Sequence, residues 1–298
     1  MCSLSRGWRS EVGGWRLEVG GWRLRAGGWR TAAVVGLVAA LTLSTLSAAE
    51  PRVLRVCADP NNLPFSNAKE EGFENRLVRI IARDLQARVE YNWWAQRRGF
   101  VRETVSANAC DIVPGVPVGF DRTLVTRPYY RSSYVFVTRR DRHLLLHTLD
   151  DAQLKDLRIG VQLVGEDGTN TPPAHALARR HLAGRLVGFT LYGDYARPNP
   201  PAQILDAVGR GDVDVALVWG PLAGYFARAS HTPLQVTPIG GTPEPQLPMA
   251  YDIGVGVARR TPGLRADIDR VLAQRQPEID RLLARFGVPR VESQGHAD

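Results

Sequence analysis

The sequence is poor in the residues and spacings on which enzymatic chemistry commonly rests. It contains no GxSxG elbow, P-loop, GxGxxG after a strand, CxxC or HExxH, so acyl-transfer, nucleotide and zinc-peptidase chemistry find no footing. Its six histidines are scattered. His143 and His147 have the i, i+4 spacing of a helical metal face, but three leucines fill the gap between them in an expected inter-lobe segment. No metal site is expected there. The carboxylate pairs Glu70-Glu71 and Asp150-Asp151 fall in loops or at a helix start, where solvation or capping accounts for them. Neither an enzyme nor a cofactor is expected.

Long apolar runs are equally scarce. After residue 50 nothing is apolar enough to cross a bilayer. The exception lies upstream, where AAVVGLVAALTLSTLSAAE follows a cluster of arginines and ends in small residues. That is the layout of a secretory signal peptide cleaved near Ala49, with a retained membrane anchor as the alternative. Ahead of it, Gly-Trp-Arg recurs around Trp8, Trp15, Trp22 and Trp29. Glycine before each tryptophan opposes a stable helix, which leaves a basic low-complexity leader or an upstream start codon. A periplasmic location and a mature protein that does not span the membrane follow.

Charge of one sign is not concentrated either. The whole chain carries +8; residues 1–49 take away six arginines and two glutamates, leaving +4. Without a basic patch, nucleic acid is not an expected partner, and a mild preference for an acidic protein surface is all this charge supports.

Cysteine is limited to three positions, and Cys2 lies in the leader. Cys57 and Cys110 would share an oxidising compartment, which favours a disulfide. Strand geometry argues the other way: if LRVCA and DIVPGV are parallel neighbours, an offset of three residues adds roughly 10 Å between the two. A bond and a pair of buried thiols both remain open.

What the mature chain does contain is an alternation of strand and helix patterns, the mark of an α/β protein. Strands are expected over 54–58, 89–94, 111–116, 133–138, 158–163, 186–192, 213–219 and 250–258, with another at LQVTPI. Helices are expected over 74–87, 100–107, from Thr171-Pro172, over 201–210 and over 263–286. The expected divisions are leader 1–49, first part of lobe 1 at 50–140, lobe 2 at 141–245, a returning strand and helix at 246–290 and a tail at 291–298. Ligands in such folds sit at strand ends and helix N-termini.

Three segments reach that zone. ADPNNLPFSN offers Asp59, Asn61, Asn62 and Phe65, as a binding loop or as a self-satisfied turn. QRRGFVR offers Arg97 and Arg98, as ligands or as surface charges. VQLVGEDGTNTPP puts Thr169, Asn170 and Thr171 at a helix start, as an anion site built on free amides, which Glu166 and Asp167 oppose by repulsion, or as a structural cap alone. The tryptophans Trp93 and Trp94 alternate faces, so at least one is expected in the core.

The motifs CADPNNLPFSN, GFENR, QRRGFVR, CDIVPGVP, TRPYYRSSYVFV, RIGVQLVG, VWGPLAGYFA and AYDIGVGVA occur in that order between about residues 53 and 289. Together they resemble the type II periplasmic solute-binding proteins, extracellular solute-binding protein family 3, and within them the branch associated with quinoprotein dehydrogenases. The resemblance implies two lobes, each a largely parallel sheet flanked by helices, with a cleft between them. It places Arg122 near the arginine that holds a carboxylate in amino-acid receptors, and it puts Trp219-Gly220-Pro221, read as a turn, where an ammonium-binding acid would stand. An aromatic cleft of Phe65, Tyr129, Trp219 and Tyr251 is implied. So is a monomer that docks on and helps mature or activate a periplasmic dehydrogenase dependent on pyrroloquinoline quinone (PQQ), one that oxidises methanol or another alcohol. The alternative is a receptor that delivers an amino acid or organic acid to an ABC permease.

Overall fold

The computed structural model describes residues 52–97, 99–163, 170–193, 195–241 and 246–292. The Gly-Trp-Arg repeat, the signal segment, Arg98 and Thr169 lie outside them.

The chain begins with β1 (Arg52–Ala58), whose alternating residues Leu54 and Val56 are buried. A two-stranded ribbon, β2 (Asn61–Asn62) and β3 (Ser66–Asn67), follows it. In α1 (Phe73–Asp84) the apolar residues Leu77, Val78, Ile80 and Ile81 recur at helical spacing and are buried. This helix crosses over so that β4 (Ala87–Trp93) pairs parallel with β1 along its whole length. A single helical turn, α2 (Phe100–Glu103), leads to β5 (Ile112–Pro117) on the other side of β1. The short β6 (Leu124–Val125) precedes β7 (Tyr130–Arg139).

The pattern then repeats in β8 (Ile159–Gln162), α3 (Pro172–Arg179), β9 (Leu186–Phe189), α4 (Gln203–Arg210), β10 (Val215–Trp219), α5 (Gly220–Ala229) and β11 (Leu234–Pro238). The chain returns through β12 (Ala250–Val257) and closes with α6 (Pro262–Arg285). Among the described residues no helix is long and apolar enough to cross a membrane.

The strands run in the order β4-β1-β5-β12-β7-β10-β8-β9. Within each lobe the α/β units pair parallel, whereas β12 and β7 run antiparallel to their neighbours. β7 belongs to both lobes: Tyr130 to Ser133 pair with β12, and Tyr134 to Arg139 with β10 and β11. It starts earlier than its VFV run suggests, because the polar Arg131, Ser132 and Ser133 still have sheet partners.

Three local expectations need correction. Gly220-Pro221 is no turn; it opens α5, where proline fits the first helical turn because its missing N–H would have no partner there. The helix expected over 100–107 stops after Glu103. Neither Trp93 nor Trp94 is core: β4 is an edge strand, where Trp93 stacks on Tyr91 at 4.4 Å and Trp94 is exposed.

Cys57 and Cys110 are bonded, with Cα atoms 5.6 Å apart. Cys110 does not lie on the axis of β5, which starts only at Ile112, so the expected strand offset does not separate the two. The turn before that strand, closed by the Ala109 N–H on the Thr104 carbonyl, instead brings Cys110 back against β1. Asp111 fixes the return: its N–H donates to the Arg55 carbonyl, and its carboxylate accepts from the Arg55 and Arg260 guanidinium groups at 2.8 Å each. Those contacts hold the Asp111 carboxyl below the usual aspartate range, against the opposing effect of burial.

Candidate functional site

The loop after β1 is organised by Asp59. Its carboxylate accepts the N–H of Asn61 at 2.8 Å and of Gln96 at 2.6 Å, and Ser66 Oγ donates to its carbonyl at 2.8 Å. Burial raises its pKa, with the two N–H groups and the Arg97 charge opposing. Asp59 is 2% exposed and faces its own loop, so it positions the site without lining it. Through it Asn62 comes to Gln96, whose Oε1 accepts from Asn62 Nδ2 at 2.8 Å.

The carbonyls of Pro64 and Phe65 accept the first N–H groups of α1, from Phe73 at 2.8 Å and Glu74 at 3.0 Å. This seats the helix end beside the loop and directs Glu74 toward the space between the lobes. Gly115 in β5 makes room for it: φ is +76°, and a Cβ there would sit 2.2 Å from Glu74 Oε1. Glu74 is 6% exposed, and among the described residues no salt bridge reaches it. Burial pushes its pKa up to about 8, with the nearby Tyr129 hydroxyl the one group opposing.

Three aromatic residues from adjacent strands line the same space. Trp219 at the end of β10 meets Tyr134 of β7 edge-on at 5.3 Å and Tyr251 of β12 at 5.9 Å. Strand register produces the cluster, since Trp219 pairs directly with Tyr134. Burial raises the phenol pKa values of Tyr130 and Tyr134, that of Tyr130 further because Glu74 is close.

These groups enclose a cavity of about 400 Å³ between the lobes. Of the residues expected at the cleft, it brings together Asn62, Phe65, Thr171, Trp219 and Tyr251. Glu74, Gln96, Tyr130, Tyr134, Gln162 and Tyr192 join them and were not singled out from sequence. The signal for Glu74 was present, as an acid in the first turn of a helix that follows a strand-end loop.

Other expected residues are elsewhere. Tyr129, just ahead of β7, is 2% exposed in the lobe 1 core; Tyr130, its ring centroid 4.9 Å away, packs in the same core and is the one of the two that also lines the cavity. Arg122 is exposed and pairs with Asp121. Arg122 and Arg97 line a separate open groove of about 800 Å³ with Arg102, over a floor that includes Phe100, Val105, Val113, Val116 and Phe120. Asn61 bridges the lobes at the lip, where its Nδ2 donates to the Arg197 carbonyl at 2.8 Å. The Arg97 side chain runs over Gly193 of the other lobe, where a Cβ would sit 3.1 Å from its Cδ.

The expected anion cradle at α3 is weak. Pro172 and Pro173 remove two of its first N–H groups, Thr171 Oγ1 donates to the Gln162 carbonyl at 3.0 Å, and the Asn170 N–H is aimed at His175 Nε2 at 3.3 Å.

No family model matches the chain. A protein named MoxJ from Paracoccus denitrificans is 30% identical to it over 274 residues, covering 86% of this chain and 95% of the relative. The crystal structure of periplasmic binding protein XoxJ from Methylobacterium extorquens AM1 aligns with a TM-score of 0.65 at 34% identity, covering 80% of this chain and 100% of that one. MxaJ from Methlophaga aminisulfidivorans MPT aligns with a TM-score of 0.69 at 24% identity over 80% of this chain and 100% of that one, a likeness of fold.

Proposed function

The chain belongs to the MoxJ family of type II periplasmic binding proteins, and on that premise we propose that it is an accessory protein of a periplasmic PQQ-dependent methanol or alcohol dehydrogenase. It docks on that enzyme and helps it mature or become active. The observation that carries the reading is the lining of the cavity. Among the described residues none that lines the cavity is an arginine, lysine or histidine, so the carboxylate of an amino acid or organic acid would enter without a counter-charge from them. Burying an unpaired carboxylate costs several kcal/mol, enough to remove useful affinity. A transport receptor for such acids is therefore the weaker reading.

The groove beside the cavity supports a protein partner. Its floor is apolar and its rim carries Arg97, Arg102 and Arg122. Arg102 and Arg122 are largely exposed, each beside one acidic neighbour. A surface of that kind suits an acidic, partly apolar patch on an enzyme.

The test is a pull-down from periplasmic extract with the mature protein as bait, followed by alcohol oxidation assays with and without it. Retention of a quinoprotein dehydrogenase at low salt, with higher activity when the protein is present during maturation, is the expected result. An extract that contains the dehydrogenase but yields none on the bait would overturn the proposal and return the transport receptor to first place.

A further inference from the structure

The cavity has a chemistry of its own, independent of the docking groove. Among the described residues that line it, the one carboxylic acid is Glu74 and none is a base, and aromatic rings make up much of its wall. Glu74 has no cationic partner, an unusual state for a carboxyl group 94% buried. A second acceptor is left over as well. Asn62 is 1% exposed and its Nδ2 is committed to Gln96, while its Oδ1 is buried without a hydrogen-bond partner. Glu74, with only the Tyr129 hydroxyl beside it, and the unpartnered Asn62 Oδ1 leave acceptor capacity at the cavity that calls for a donor bringing positive charge.

The aromatic lining gives the same answer. Indole and phenol faces attract cations through their quadrupoles, and a cation that has left water gains most. Trp219, Tyr134 and Tyr251 form a continuous aromatic corner of the same cavity. We propose that the cavity binds a small primary alkylammonium or arylalkylammonium ion, its N–H groups on Glu74 and Asn62 Oδ1 and its carbon skeleton against Trp219, Tyr134 and Tyr251. The acid that an ammonium ligand needs is thus absent at the end of β10, where the amino-acid receptor pattern would put it, and is supplied from the other lobe by the first turn of α1.

Proton linkage is part of the site. Among the described residues the titratable groups near Glu74 are the phenols of Tyr129 and Tyr130 from the β7 side, Tyr91 of β4 and Tyr192 from the other lobe; none carries positive charge. Because burial favours the protonated acid, an entering cation displaces that proton and binds more tightly as pH rises toward 8.

Isothermal titration calorimetry of the full chain at pH 8.5 tests this, with n-butylammonium, 2-phenylethylammonium, butan-1-ol and butyrate as probes. The two ammonium ions are expected to bind, and the alcohol and butyrate are not. Glu74→Gln should weaken ammonium binding about tenfold or more while the thermal transition stays cooperative. Trp219→Leu, which keeps the acid and removes the largest ring, should weaken both ions and 2-phenylethylammonium more. Failure of both ions to bind folded wild-type protein, equal binding of butyrate, or undiminished binding by a folded Glu74→Gln variant would each overturn the assignment.

Discussion

The cavity and the groove share a wall and little else. Gln96, Gly115 and Pro117 line both, yet one side faces a buried acid and aromatic rings, and the other faces three arginines above an apolar floor. A single strand end, that of β5, sorts the charges by sign. The lesson is that a receptor-like fold offers two kinds of surface within a few residues of each other: one whose buried acid without a cationic partner suits a small cation, and one whose exposed rim cations suit a protein. Solvent access decides which charge can stand alone, since the exposed arginines remain hydrated and Glu74 does not.

The largest difference between the two sides should appear as pH-dependent stability. The Glu74 pKa is about 8 in the folded protein against an ordinary 4.5. The folded state therefore holds more protons than the unfolded state between those values, and this group's contribution to stability is full below about pH 4.5 and lost as pH rises to 8. The loss is of the order of 5 kcal/mol. Urea unfolding at pH 5 and pH 8.5 should show it, and Glu74→Gln should flatten the slope. The arginine-paired Asp111 beneath the groove has the opposite sign: its carboxyl is held below the usual range, so its contribution is lost as pH falls through the acid region.

Next in size is the disulfide. Cys57 and Cys110 close a loop with a sequence separation of 53 and lie in the cluster that forms the groove floor. Replacing both by serine should cost about 4 kcal/mol on a chain-entropy estimate, measured by urea unfolding. If the two regions are as separate as they look, the folded variant should still bind n-butylammonium while its capture of the dehydrogenase weakens.

A smaller effect is expected from reversing the rim charges. Arg102→Glu with Arg122→Glu should lower dehydrogenase capture about tenfold at low salt and much less at high salt. Stability should hardly change, because both side chains are exposed. The smallest effect should come from Trp219→Asp, which alters the cavity and should leave dehydrogenase capture unchanged in the same pull-down. A matching loss in both assays would mean that the partner enters the cleft and that the two regions work as one.

Much of this molecule was legible from sequence. Apolar residues at helical spacing marked α1 and α6, and short apolar-rich runs marked β1, β8, β10 and β12, whose residues are buried in succession in β8 and β10. The loop ADPNNLPFSN and Trp219 were recognisable as cleft elements, because strand ends in α/β folds converge on one edge. What could not be read was which neighbour each side chain would meet. Tyr129 and Tyr130 are adjacent and chemically alike, both pack in the lobe 1 core, and only the tertiary arrangement decides that Tyr130 also reaches the cavity. Arg122 looked like a ligand-binding arginine until the turn after β5 placed it outside the cleft.

The sequence alone determined the α/β alternation, the order of the strands along the chain and the residue types available at their ends, since these depend on local pattern. The tertiary structure alone decided that Cys110 returns to Cys57, that the arginines line the groove and that Glu74 stands unpaired beneath Gly115. Each of those facts depends on a contact between segments distant in sequence, where packing fixes distance and burial fixes the energetic value of a charge.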